Sequence, residues 1–112
     1  MHTVVETPPY LAEAERLFSA EERTMIVDTV SAEPRCGVVI PGTGGVRKVR
    51  VASSGRGKRG GARVIYLFGG DNMPVFLLAV FAKNEKSDLS PAERNKLARM
   101  TAELMRSFRS GQ

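Results

Sequence analysis

A chain of 112 residues reads as one domain, residues 1–112, long enough to bury a core without disulfides or a structural metal. Its formal net charge is +5, and Cys36 is the only cysteine, which excludes an intramolecular disulfide and makes the reducing cytoplasm the expected compartment. The longest apolar run, Val75 to Ala82, has eight residues, far short of the ~20 that a membrane helix needs, and no basic segment followed by an apolar run marks a signal peptide.

The elements follow in chain order. Residues 2–5 suit a short first strand. Thr7 reads as an N-cap with Pro8 at the first helical position, and Leu11, Ala14, Leu17 and Phe18 recur at helical spacing, so a helix is expected over 8–18. Ser19 with Glu22 three residues on has the form of a capping box; Met25, Ile26, Thr29 and Val30 then give a helix near 20–31 its expected buried face, and Pro34 ends it. Residues 32–45 read as a loop around a short β-bridge at residues 38–40, with turn signals at Pro41-Gly42 and Gly44-Gly45.

A basic strand is expected over 46–52. Side chains alternate there, placing Val46, Lys48 and Arg50 on one face and Arg47, Val49 and Val51 on the other, the more apolar one. A loop over 53–61 follows, longer than the 2–5 residues of a tight hairpin, and residues 62–68 return as an apolar strand that Arg63 opens. Residues 75–82 are apolar on both faces, as expected of a central strand covered by helices, with Lys83 at the end. Ser90-Pro91-Ala92-Glu93 is the clearest helix start, and Leu97, Met100, Leu104 and Phe108 stripe a helix over 91–108. The order β-α-α-β-β-β-α implies an α+β fold with an antiparallel sheet, two N-terminal helices and one C-terminal helix.

Charge is unevenly placed along these elements. Residues 1–45 hold seven acids and three cations, residues 69–112 five acids and seven cations. Between them, residues 46–68 carry Arg47, Lys48, Arg50, Arg56, Lys58, Arg59 and Arg63 and no acid. A surface selected for solubility mixes its signs. A field of one sign suits a polyanion, nucleic acid first. The alternative is an ordinary solvated strand and loop, and Lys83 at a strand end has the further alternative of a snorkelling lysine.

Residues 55–60 match G-x-G-x-x-G, but a dinucleotide fingerprint needs a helix after it, and here a strand follows. The loop suits contact with phosphates instead, its glycines giving access and Arg56, Lys58 and Arg59 neutralising charge. Tyr66, inside an apolar strand, reads as core. One His and one Cys exclude a structural zinc site and leave Cys36 without a plausible base. No carboxylate cluster suggests a two-metal nuclease, so no metal and no cofactor is expected.

Three stretches together resemble a known family: GTGG-x-RK-x-R from Gly42, GKRGG-x-R-x-IY from Gly57 and KNE-x-x-DL from Lys83. They are similar to the HigB-type branch of the RelE/ParE toxins of type II toxin–antitoxin systems, over a span from about Gly42 to the C-terminal helix. The resemblance implies a small α+β toxin with a twisted antiparallel sheet, acting as a ribosome-dependent mRNA endoribonuclease. It also implies a cognate antitoxin, often with a helix-turn-helix domain. It gives Arg63 the phosphate-stabilising role and places Lys48, Arg50 and Lys83 beside the cleavage site, with Lys48 or Lys83 as the proton-transfer group. Arg47, Arg56, Lys58, Arg59 and Lys86 are assigned to RNA backbone contact. Some relatives carry a catalytic tyrosine near the C-terminus; this chain has no tyrosine after Tyr66. The ParE branch, a gyrase inhibitor without nuclease activity, is the alternative within the fold; a plain nucleic-acid-binding module is the alternative outside it.

Overall fold

The computed structural model describes residues 2–52 and 61–110, with side chains through Phe108. The elements are β1 (Val4–Glu6), α1 (Pro8–Leu17), α2 (Ala20–Ala32), β2 (Val38–Val39), β3 (Val46–Val51), β4 (Ala62–Leu67), β5 (Val75–Ala82) and α3 (Pro91–Ser110). The expected order is found, with the bridge near residue 38 present as a two-residue strand.

The strands form one sheet in the order β1-β5-β4-β3-β2. The pairs β2–β3, β3–β4 and β4–β5 are antiparallel, but β1 lies parallel to β5, so the sheet is mixed rather than antiparallel. No hairpin joins β1 to β5: both N-terminal helices and three strands intervene, and no turn sets their relative direction. Backbone bonds from Val75 N–H to Thr3 O (2.8 Å) and Thr7 N–H to Leu77 O (3.2 Å) fix β1 in place.

The helices cover both faces. α1 and α2 pack Tyr10, Ala14, Leu17, Ile26 and Val30 against Val64, Tyr66, Leu77 and Val80. On the other face α3 lays Leu97, Met100, Leu104, Met105 and Phe108 over Val46, Ile65, Leu67, Phe76 and Phe81. This three-layer arrangement explains why β4 and β5 are apolar on both sides.

One irregularity matters for the site. Ile65 lies opposite Ala79 and Tyr66 opposite Leu77, so Leu78 has no partner on β4. The bulge resets the alternation. Phe76 and Phe81, an odd number of residues apart, consequently both face α3.

The helix starts follow local chemistry with one exception. Ser19 Oγ accepts from Glu22 N–H (3.1 Å) while Glu22 Oε1 accepts from Ser19 N–H (2.9 Å), and Ser90 and Glu93 form the same reciprocal pair at 3.1 and 2.8 Å. Thr7 stands at the N-cap of α1, but its hydroxyl donates to Leu77 O (2.7 Å) and binds the helix start to β5 instead of capping it. Met25, expected in the core, is 67% exposed, and Thr29 is also exposed; the buried residues of α2 are Ile26, Val30 and Ser31. Val27 packs partly buried against the same core.

Tyr66 ties the loop before β2 to the sheet. Its hydroxyl, fully buried, donates to Pro34 O (2.8 Å) and accepts from Gly37 N–H (2.8 Å). Burial, and then the hydrogen bond with Cys36 at 3.6 Å, push the phenol above its ordinary range. Gly37 is required there: a Cβ would lie 2.8 Å from both Tyr66 Oη and Lys48 O. Tyr66 is therefore a structural residue, as its apolar neighbours indicated.

Candidate nucleic-acid interface

The site grows from the β3–β4 register. Val46 is buried beneath α3, so Lys48 and Arg50, two and four residues on, share the α3 face of the sheet. On β4 the same face belongs to Ile65 and Leu67 and, two residues earlier, to Arg63. Arg50 and Arg63 are direct cross-strand partners, and Phe81 is the partner of Arg63 on β5. Arg50, Arg63 and Phe81 thus make one row across three strands. Lys48 lies one step along, opposite Ile65.

Two like charges placed directly opposite oppose folding. The arrangement is aggravated at Arg63, whose Nε is buried with no hydrogen-bond partner. Arg47 Nε on the opposite face is orphaned as well, so it is the like-charged cross-strand pair that distinguishes the row, a poor solution for stability and a good one for an anion that arrives from outside.

Carboxylates from the segment before α3 and from its first turn pair with neighbouring cations. Asp88 Oδ2 is 3.7 Å from Lys48 Nζ. Its carboxyl is held below the ordinary range, first by the Leu89 N–H and then by Lys48. Glu93 pairs with Lys86, and that bond, followed by the Ser90 N–H, holds its carboxyl low as well. The Lys86 ammonium lies 5.2 Å from the centre of the Phe81 ring. Lys83 sits in the turn after β5, where its N–H bonds Gly61 O at 3.1 Å. Gly61 closes β4 against β3 at φ +70°, with Val51 O only 2.3 Å from where a Cβ would stand.

The structure therefore gathers Lys48, Arg50 and Arg63 on one face of the sheet, with Lys83 and Lys86 on the turn that follows β5. It does not bring Arg47 to them. Arg47 lies on the opposite face, and its Nη1 donates to Gly37 O (2.8 Å) and Arg35 O (3.3 Å), so it fastens the loop before β2. Arg56, Lys58 and Arg59 lie outside the described residues. Sequence reasoning missed Phe81, Asp88 and Glu93. Phe81 was hidden by the bulge; Asp88 and Glu93 stood in quoted stretches, but nothing in their spacing assigned them partners. Among the described residues no cluster of three His, Cys, Asp or Glu side chains is placed to hold a metal. No described helix is long and apolar enough to cross a membrane.

A structure of a double-arginine-to-alanine mutant of the E. coli toxin RelE in the free state is similar to this one, with a TM-score of 0.58 at 18% identity, covering 89% of this chain and 96% of that one. The likeness shows a shared fold. Residues 40–110 match the family described as the RelE toxin of the RelE / RelB toxin–antitoxin system. That span holds every described cation of the interface, from Lys48 to Lys86, and the chain belongs to the RelE toxin family.

Proposed function

We propose that the protein is the toxin of a toxin–antitoxin pair and that it cuts mRNA on the ribosome without a metal ion, in the manner of the HigB-type branch its motifs resemble. The observation that carries this reading is the cross-strand Arg50–Arg63 pair with its buried, unpartnered Nε. RNA brings its own nucleophile, the 2′-OH next to the scissile phosphate. Attack forms the O2′–P bond and breaks the P–O5′ bond, leaving a 2′,3′-cyclic phosphate and a 5′-OH end. One proton leaves O2′ and one reaches O5′. The transition state gathers negative charge on the non-bridging oxygens, and preorganised guanidinium donors stabilise it.

Arg63 is the phosphate-stabilising residue, with Arg50 beside it. Lys48 and Lys83 are the proton-transfer candidates, and Lys86 contacts the backbone of the bound strand. Tyr66 takes no part, because its hydroxyl is consumed by Pro34 and Gly37. The partners are the ribosome with its mRNA and a cognate antitoxin, here proposed to be of helix-turn-helix type, which silences the toxin.

The test is translation of a defined mRNA in a purified system with added protein, followed by mapping of the 5′ ends. The expected result is a set of cuts in phase with codons that vanish without ribosomes and in the Arg63→Ala protein. Intact mRNA accompanied by gyrase-dependent DNA breaks would overturn the reading in favour of gyrase inhibition.

A further inference from the structure

Two cations of the candidate site, Lys83 and Lys86, flank a carboxylate, Glu85, within one turn. That turn is tied down on several sides. Lys83 N–H bonds Gly61 O (3.1 Å), and the N–H groups of Glu85 and Lys86 both bond Ala82 O (3.0 and 3.1 Å). Lys86 leans on Phe81, the cross-strand partner of Arg63. Lys86 also pairs with Glu93 of α3, and a further tie comes from the far layer of the fold. Arg16, in the last turn of α1, donates from Nη1 to Glu85 Oε2 (3.1 Å) and from Nη2 to Glu85 Oε1 (2.9 Å). Glu13, one helical turn back, braces the same guanidinium through Nε (3.2 Å) and Nη2 (2.7 Å).

This fork differs from an incidental surface ion pair in two respects. It is bidentate and braced, which fixes the plane of the guanidinium as well as its charge. It also starts from a rigid base, since Tyr10, Ala14 and Leu17 anchor α1 with no exposed surface. Arg16 and Glu85 are both half exposed, so the pair adds little to the stability of the fold. It ties the turn that carries Lys83 and Lys86 to α1. Small displacements of a reacting group are costly to rate, with ~1 Å worth about 100-fold.

We propose that Arg16 is a positioning residue for the reaction: acting through Glu85, it holds the 83–86 turn so that Lys83 and Lys86 face the strand bound at Arg63. The proposal rests on the nuclease reading above. Its experiment measures ribosome-dependent cleavage, with kcat and KM separated, for the wild-type protein, Arg16→Ala, Arg16→Lys, Glu85→Ala and the Arg16→Ala/Glu85→Ala double variant, alongside thermal unfolding of each. Arg16→Ala should lower kcat about tenfold with KM little changed, while its unfolding midpoint stays within a few degrees of wild type. Arg16→Lys keeps the charge without the fork and should fall between. Because Arg16 acts through Glu85, the double variant should be no slower than Glu85→Ala alone. Undiminished cleavage by Arg16→Ala, independent effects that multiply in the double variant, or a kcat loss matched by a collapse in midpoint overturns the positioning role. A wild-type protein that leaves ribosome-bound mRNA intact overturns the nuclease reading itself, and the positioning role with it.

Discussion

Replacing Arg63 by methionine should remove function and add stability. In the folded protein the Arg63 Nε is buried without a partner, and an unsatisfied buried donor costs about 1–3 kcal/mol. Arg50 stands directly opposite, and a like-charged cross-strand pair adds roughly 0.2–1 kcal/mol of cost. The residue as a whole is half-buried, so the lower end of both ranges applies. Methionine keeps the length of the aliphatic stem opposite the cross-strand partner Phe81 and carries no donor to orphan. The net expectation is a gain of about 1–2 kcal/mol, or roughly 4–10 °C in unfolding midpoint for a domain of this size. Urea and thermal denaturation measure the gain; 5′-end mapping on translating ribosomes measures the loss of cutting. A methionine variant that unfolds more readily than the parent by 1 kcal/mol or more would show that Arg63 serves the fold. Arg63 would then carry no electrostatic cost retained for function.

Other expected outcomes follow from the same geometry. Tyr66→Phe leaves Gly37 N–H and Pro34 O without their shared buried partner, and a loss of about 2–3 kcal/mol should appear in urea denaturation; cleavage per folded molecule should not change, and a catalytic loss at full folding would refute the structural assignment. Gly61→Ala forces a side chain into a left-handed residue, at about 1–2 kcal/mol, with its Cβ 2.3 Å from Val51 O; a destabilisation of at least ~2 kcal/mol should be measured, and a neutral result would mean that the junction of β3 and β4 yields easily. The Asp88 and Glu93 carboxyls are lower in the folded protein than in the unfolded chain. Their stabilisation is therefore fully present above the ordinary carboxyl value of ~4 and is lost as pH falls through the lower folded values. Asp88→Asn should flatten that acid limb of the stability–pH curve, and an unchanged limb would remove Asp88 from the account.

Local rules made much of the fold legible. Both serine-led capping boxes form as their spacing dictates, because such a box satisfies backbone donors within four residues and needs no distant partner. The apolar stripe of α3 and the two-sided apolarity of β5 likewise fixed what each element buries. They did not show on which side each helix lies, nor that β1 runs parallel to β5, since both depend on contacts distant in the chain, as between Val4 and Val75. Thr7 makes the same point at the scale of one side chain: its position as N-cap is local, but a carbonyl of β5 outcompetes the helix for its hydroxyl.

For the candidate site the division is similar. Alternation along residues 46–51 separates Lys48 and Arg50 from Val49 and Val51, and the absence of acids over residues 46–68 marks a run of one charge sign; sequence alone determined both, because period-two geometry and charge are local properties. Only the tertiary structure set Arg50 opposite Arg63, left the Arg63 Nε without a partner and gave Arg47, already on the other face by alternation, its carbonyl partners in the loop before β2. Register across a sheet is a long-range choice, settled by which faces the helices cover. A one-residue bulge at Leu78 then decided that Phe81 stands beside Arg63, a placement that counting residues along β5 from Phe76 would have assigned to the opposite face.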